Sequence, residues 1–218
     1  MPPVVLFDLD GTLADSALSI ALALNRLREG RGLGPWPVAR FRPLISRGAP
    51  ALVGASLGLG THADADADDV AAFREIYAAI PGSPDDLYPG IAEALARLRE
   101  AGALLGVCTN KPQRLSEKLL AESGIAGHFE AVVGGDVAER AKPHPAHLRQ
   151  TLAAMRCEGQ PFAFVGDSSV DADAADAAGA RFLWASWGYA DADDLARRGT
   201  PLASADYLAS SLLAAARA

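Results

Sequence analysis

Short apolar runs rich in Val, Leu and Phe recur along the chain at Val4–Phe7, Leu104–Cys108, Ala131–Val133, Phe162–Val165 and Arg181–Ala185. Runs of this length predict strands, and their nearly unbroken apolar character predicts burial on both faces of a sheet. Between the later runs, Ile91–Ala101, Pro112–Ser123, Pro145–Met155 and Val170–Ala178 carry helical spacing. Gly102 and Gly179 stand where two of these helices should stop, and Gly124 lies near the end of a third. Strand–helix alternation of this kind predicts an α/β fold, a doubly wound parallel sheet of Rossmann-like type with helices on both faces.

The stretch from Asp15 to Ser83 breaks the alternation. Ser16–Glu29, Val38–Leu44, Pro50–Leu57 and Asp69–Ile80 read as helices, with Gly- and Pro-rich punctuation between them and no convincing strand. The pattern predicts a core built from residues 1–14 and 84–218, with a helical cap, residues 15–83, inserted after the first strand. The acidic run His62–Asp69 invites a metal-site reading. Carboxylates at every second residue before a helix fit a solvated, acidic helix N-terminus far better.

Composition narrows the function. Half of the 218 residues are hydrophobic and 22% are charged, which excludes disorder as the main state. The net charge of −7 argues against a nucleic-acid partner, which would call for a basic stripe. No apolar run approaches the roughly 20 residues of a membrane-spanning helix, so no membrane partner is expected. Met1-Pro2-Pro3 leads directly into the first strand without a basic leader, so a cytoplasmic location is expected. Cys108 and Cys157 lack companion metal ligands and should be reduced thiols. Lysine is scarce: Lys111, Lys118 and Lys142 are the whole set, so the place of each is informative.

In a doubly wound sheet, ligands bind beyond the C-terminal ends of the strands. Asp8, Asp10, Gly11 and Thr12 follow the first predicted strand, and Thr109 and Asn110 the second. Lys142 precedes the helix after the third, and Asp167 and Asp171 follow the fourth. Singly, each has a bland reading as a helix cap, a turn former or a surface residue. Together they put four carboxylates, a hydroxyl and a scarce lysine on one rim. Two like charges ~4 Å apart repel by about 4 kcal/mol at an effective dielectric of 20, so Asp8, Asp167 and Asp171 require a cation. Hard oxygen donors point to Mg²⁺.

These segments resemble the haloacid dehalogenase-like hydrolases, and more narrowly their phosphoglycolate phosphatase-like branch. The resemblance rests on VVLFDLDGTLADS (Val4–Ser16), VCTNKP (Val107–Pro112), AKPHP (Ala141–Pro145) and FVGDSSVDADAADAAG (Phe164–Gly179), in that order. Tyr88-Pro89-Gly90 and Trp187-Gly188-Tyr189 look like the same branch. The resemblance implies a Mg²⁺-dependent phosphatase acting on a small phosphorylated metabolite, with 2-phosphoglycolate the leading candidate. It implies Asp8 as nucleophile, forming an aspartyl-phosphate, and Asp10 as general acid and then base. It further implies Mg²⁺ on Asp8, the main-chain carbonyl of Asp10 and Asp167, with Asp171 added directly or behind them. Thr109 by its hydroxyl and Asn110 by its N–H would hold phosphate oxygens, Lys142 would neutralise charge, and Gly11 would admit the phosphate to the backbone.

Alternatives remain open at this stage. Haloacid dehalogenases proper lack the second aspartate, so Asp10 counts against them. Phosphonoacetaldehyde hydrolase-like chemistry needs a cap lysine, and residues 15–83 contain none. A sugar-phosphate mutase of the β-phosphoglucomutase type shares the chassis. A phospho-accepting signalling domain, or a non-catalytic protein keeping only the fold, belongs to a different class. In the cap, Arg47 of LISRGAP is a candidate for a substrate anion, with a solvated arginine as the competing reading. Trp184, Trp187 and Cys108 read as packing residues, His144 as a helix-start residue, and Trp36 has no assigned role. Either a monomer or a homodimer is compatible with the pattern.

Overall fold

A computed structural model describes residues 2–60, 63–189 and 195–215. Six parallel strands run β1 (Val4–Phe7), β2 (Leu104–Thr109), β3 (Ala131–Gly134), β4 (Phe162–Gly166), β5 (Arg181–Ala185) and β6 (Thr200–Leu202), in the spatial order β3-β2-β1-β4-β5-β6. The helices are α1 (Ala17–Gly30), α2 (Val38–Phe41), α3 (Ala49–Ser56), α4 (Ala67–Ala78), α5 (Ile91–Glu100), α6 (Gln113–Glu122), α7 (Ala146–Ala154), α8 (Ser169–Ala178) and α9 (Asp206–Ala215).

Strand side chains alternate between two cores, as the two-residue period requires. Val5 and Phe7 pack with Leu105, Val107 and Val165 beneath α5, α6 and α9. Val4 and Leu6 pack with Phe164, Phe182 and Trp184 beneath α7 and α8. β1 is thus buried on both faces, which is why it reads as a continuous apolar run. β1 and β4 pair in the middle of the sheet, where the chain switches direction across it. Asp8 and Asp167 leave the sheet on either side of that switch, the place where a doubly wound sheet opens a crevice.

The four helices α1–α4 and a 3₁₀ turn, Arg42–Arg47, enclose a separate core around Leu24, Phe41, Val53 and Phe73. Leu115 of α6 joins it from the sheet side. The expected single helix over Val38–Leu44 is instead four α-helical residues followed by that 3₁₀ turn, which ends at Gly48 with φ +85°. Asp66 caps α4 by accepting from the Asp69 N–H at 2.8 Å, so this part of the acidic run serves the helix start; His62 lies outside the described residues. Trp36 finds its role here. The guanidinium groups of Arg28 and Arg40 lie 4.3 and 3.6 Å from its ring centroid, and Asn25 pairs with its backbone.

Among the described residues, β6 and α9 lie outside the predicted alternation. β6 contains Pro201, which an edge strand paired only with β5 tolerates. Helix α9 packs against α5.

Candidate active site

The chain stops being extended directly after Phe7. The Leu9 carbonyl accepts from the N–H groups of Leu13 and Ala14 at 2.9 and 3.0 Å, coiling the DLDGT segment into a turn. Asp10 therefore reaches the rim on a turn. Gly11 sits at φ +85°, and a Cβ there would lie 2.3 Å from Asp167 Oδ2. Its requirement for glycine comes from this approach of the Asp167 carboxylate. Gly188 does the same from the opposite wall, since its Cβ would fall 2.2 Å from the Asp167 Cβ.

Asp8, Asp167 and Asp171 are buried, and one carboxylate oxygen from each lies within 4.8 Å of the others. Lys142 reaches in from the loop before α7, its ammonium 2.8 Å from Asp8 Oδ1 and 2.6 Å from Asp171 Oδ1. Asp171 caps α8 reciprocally with Ser168, accepting from the Ser168 N–H at 3.0 Å and from its hydroxyl at 2.5 Å. Asp167 accepts from the Tyr189 N–H at 2.7 Å and from the Thr12 hydroxyl at 3.4 Å. The indole N–H of Trp187 donates to the Thr12 carbonyl at 3.0 Å, bracing the turn.

The electrostatics follow from three carboxylates sharing one ammonium. Burial, reinforced by Asp171 and Asp10 and opposed by Lys142, pushes the Asp8 carboxyl up to about 6. Burial and then the charges of Asp171 and Asp8 raise Asp167 well above the usual range. Burial pulls Lys142 down, but Asp171 and Asp8 outweigh it and hold the ammonium firmly charged. The deficit is one of positive charge. Three hard oxygen donors at this separation fit a divalent cation such as Mg²⁺, and Asp8 and Asp167 would hold it with Asp171 behind.

Asp10 stands apart from that trio, on the cap side. Both its oxygens face the ammonium of Lys111, and Oδ1 also accepts from the Ser16 hydroxyl. Lys111 in turn donates to the Tyr77 hydroxyl on α4 at 2.9 Å. Burial lowers the pKa of Lys111, and Asp10 and Tyr77 together more than reverse this. Thr109 is buried at the end of β2, and its hydroxyl accepts from the Lys111 N–H at 3.2 Å. Asn110 spans core and cap, its Nδ2 donating to the carbonyls of Lys142 and Ser46, both at 2.9 Å; its Oδ1 is buried without a partner.

The structure thus gathers Asp8, Asp10, Gly11, Thr109, Asn110, Lys142, Asp167 and Asp171 on one rim. Arg47 is different. It ends the 3₁₀ turn with its side chain exposed, while its neighbours Ser46 and Gly48 abut Asn110. A small cavity of about 20 Å³ is lined by Ile45, Leu52, Phe73 and Tyr77 from the α1–α4 side and by Asp10, Asn110 and Lys111 from the sheet side. Its lining does not include Arg47 among the described residues. Lys111 and Tyr77 escaped the sequence reading. The scarcity of lysine and the place of Lys111 next to Asn110 were the available signals; for Tyr77 there was none. Cys108 is buried with its thiol pushed up to about 12 by burial, as befits a packing residue. The imidazole of His144 accepts from the Ala146 N–H at the start of α7.

Comparison with known proteins gives the family. The profile of the haloacid dehalogenase-like hydrolases matches residues 2–179. A phosphoglycolate phosphatase of Cereibacter sphaeroides is 40% identical over 190 residues, 86% of each chain. One from Xanthomonas campestris is 37% identical over 200 residues, 88% of this chain and 87% of that one. Among solved structures, CbbY from Rhodobacter sphaeroides in complex with phosphate superposes with a TM-score of 0.81 at 25% identity, covering 97% of this chain and 99% of the other. A β-phosphoglucomutase from Clostridium difficile shares the fold, with a TM-score of 0.80 at 17% identity over the full length of both chains.

Proposed function

The chain belongs to the haloacid dehalogenase-like hydrolases and is a phosphatase, and from that premise we propose that it hydrolyses 2-phosphoglycolate through an aspartyl-phosphate on Asp8, with Mg²⁺ as cofactor. The observation that carries the reading is the Lys142 ammonium shared between Asp8 and Asp171 beside Asp167, a site short of positive charge and built of hard donors.

Asp8 attacks phosphorus, forming the Asp8–phosphorus bond as the ester oxygen departs. Asp10, protonated when the ester binds, delivers its proton to that oxygen and is left as the carboxylate that Lys111 and Ser16 hold. It then takes a proton from the water that attacks phosphorus and releases Asp8. Lys142 holds negative charge on Asp8 and on the transferring group, and Thr109 and the Asn110 N–H would hold phosphate oxygens. Asp8, Asp167 and the Asp10 main-chain carbonyl, with Asp171 behind, would hold Mg²⁺, which would supply charge neutralisation at the phosphoryl oxygens. Residues 15–83 serve as the cap over a core formed by residues 1–14 and 84–218. The cap excludes water and supplies the wall around the leaving group.

The choice of substrate rests on that wall. The cavity is small, about 20 Å³, and most of its lining is apolar. A sugar would bury several hydroxyls against Ile45, Leu52 and Phe73 with few partners, an uncompensated cost for each. A compact acid needs only the polar corner at Asn110, Lys111 and Tyr77. No helix among the described residues is long and apolar enough to cross a membrane.

The test is a panel of 2-phosphoglycolate, glucose 1-phosphate, AMP and p-nitrophenyl phosphate assayed in Mg²⁺, ranked by kcat/KM. The highest value is expected for 2-phosphoglycolate, with reversible silencing by EDTA. Phosphate transfer between sugar positions would replace this reading with a mutase. No phosphate release from any ester would remove it altogether.

A further inference from the structure

His147 takes no part in the chemistry above, yet it is buried completely at the second position of α7. Both ring nitrogens are engaged. Nδ1 lies 3.2 Å from the Lys142 N–H and accepts from it, and Nε2 lies 3.0 Å from the Val133 carbonyl near the end of β3. An accepting Nδ1 and a donating Nε2–H define one neutral tautomer. The ring is therefore a strut from the sheet to the peptide nitrogen of Lys142.

The other side of the same residue is tied as well. The Lys142 carbonyl accepts from Asn110 Nδ2 at 2.9 Å. The side chain then runs past the Phe164 ring, with the ammonium 5.1 Å from its centroid, to Asp8 and Asp171. Lys142 lies in the loop between β3 and α7, outside any helix or strand. No ladder of backbone hydrogen bonds fixes its position. A long, flexible side chain aims its charge well only when its root is fixed.

We propose that His147 is a positioning residue for the phosphatase reaction: it anchors the backbone of Lys142 so that the ammonium bridges Asp8 and Asp171. The proposal rests on the reading of Lys142 as the ammonium that faces the phosphoryl group. The geometry separates the two bonds of the ring cleanly. Asn places an acceptor near Nδ1 and does not reach Val133; Gln places a donor near Nε2 and offers Lys142 nothing. Loss of the Lys142 anchor should move the ammonium by a fraction of an ångström, and about 1 Å of misplacement costs on the order of 10²-fold in rate.

The experiment compares wild type, His147→Asn and His147→Gln in full-length protein. Three readouts are taken: kcat with p-nitrophenyl phosphate in Mg²⁺, thermal midpoint, and amide hydrogen exchange at Lys142 by NMR. Expected for His147→Gln is a kcat lowered by about one order of magnitude, with fast exchange at the Lys142 amide. His147→Asn should recover most of the rate and restore the protection, even with a lower thermal midpoint from the lost Val133 bond. His147→Gln with wild-type kcat and a protected Lys142 amide would overturn the anchor. So would Asn and Gln variants equally slow and equally unprotected. If wild type itself released no phosphate, the proposed function would fall, while the exchange pattern would still decide on the strut.

Discussion

The Lys111 ammonium spans the Asp10 carboxylate, 2.9 Å from one oxygen and 3.2 Å from the other. The pair is buried, and Tyr77 from the cap completes the ammonium's shell at 2.9 Å. The proposed acid–base residue is thus held by core and cap-side partners at once, since Ser16, just before α1, also donates to Asp10. Asp10 is fixed by partners from both sides of the cleft.

Tyr77→Phe removes the hydroxyl and leaves the ring stacked on Phe73 at 5.9 Å. One such hydrogen bond is worth about 1 kcal/mol, or about 5-fold in a rate that depends on it. Formation of the phosphoenzyme from an alkyl ester, which needs the proton of Asp10, should slow by about that factor. Formation from p-nitrophenyl phosphate, whose leaving group needs little protonation, should not. Rapid-quench measurement of both esters checks this; equal slowing would show that Tyr77 acts on folding or binding instead.

Asp8→Asn should lower kcat by on the order of 10⁴-fold or more, the scale of losing a nucleophile. The fold should survive. Lys142 keeps Asp171 at 2.6 Å, and removing one of three crowded carboxylates relieves repulsion. Phosphate release and a thermal melt check both halves. Substantial turnover by the variant would remove Asp8 from its role.

Much of the rim was readable because each residue follows a strand, and strands announce themselves as short apolar runs. Asp8, Thr109 and Asp167 needed only that logic. Lys142 needed the scarcity of lysine as well. Lys111 sat in view, adjacent to Asn110, but nothing in a linear pattern tells that it, rather than Lys118, turns inward toward Asp10. Tyr77 shares a helical stripe with Val70 and Phe73 and reads as core; its hydroxyl partner comes from a segment 34 residues away. His147 was hidden for the same reason, since burial of a histidine is set by tertiary packing. The turn from Leu9 to Ala14 forms because the N–H groups of Leu13 and Ala14 close onto the Leu9 carbonyl, a pattern no apolar run announces. Gly11 was noticed, but the carboxylate that demands it lies 156 residues later.

Protonation of His147 offers a stability signature. Burial, with Lys142 nearby, lowers its pKa from 6.5 to about 4. In the unfolded chain the ring binds a proton below about 6.5, while the folded protein refuses it down to about 4. Stability from this group is therefore complete above pH 6.5 and is lost as pH falls toward 4. The full loss is about 3 kcal/mol. Urea unfolding at pH 7.5 and 4.5 should show a smaller difference for His147→Asn than for wild type. An unchanged difference would mean that other groups carry the acid sensitivity.

Gly188→Ala tests the walls around Asp167. The added Cβ would fall 2.2 Å from the Asp167 Cβ and 2.6 Å from the Gly11 carbonyl oxygen, and neither is the yielding tip of a long side chain. Asp167 must shift, and with it the Tyr189 N–H that now donates to it at 2.7 Å. Disturbing the groups that orient a metal-binding carboxylate costs about 10–100-fold in metal affinity. The Mg²⁺ concentration for half-maximal activity should rise by that factor, and the rise in thermal midpoint on adding Mg²⁺ should shrink in step. Wild-type Mg²⁺ dependence by both measures would show that Asp167 tolerates the displacement, and that this carboxylate does not set the affinity for the metal.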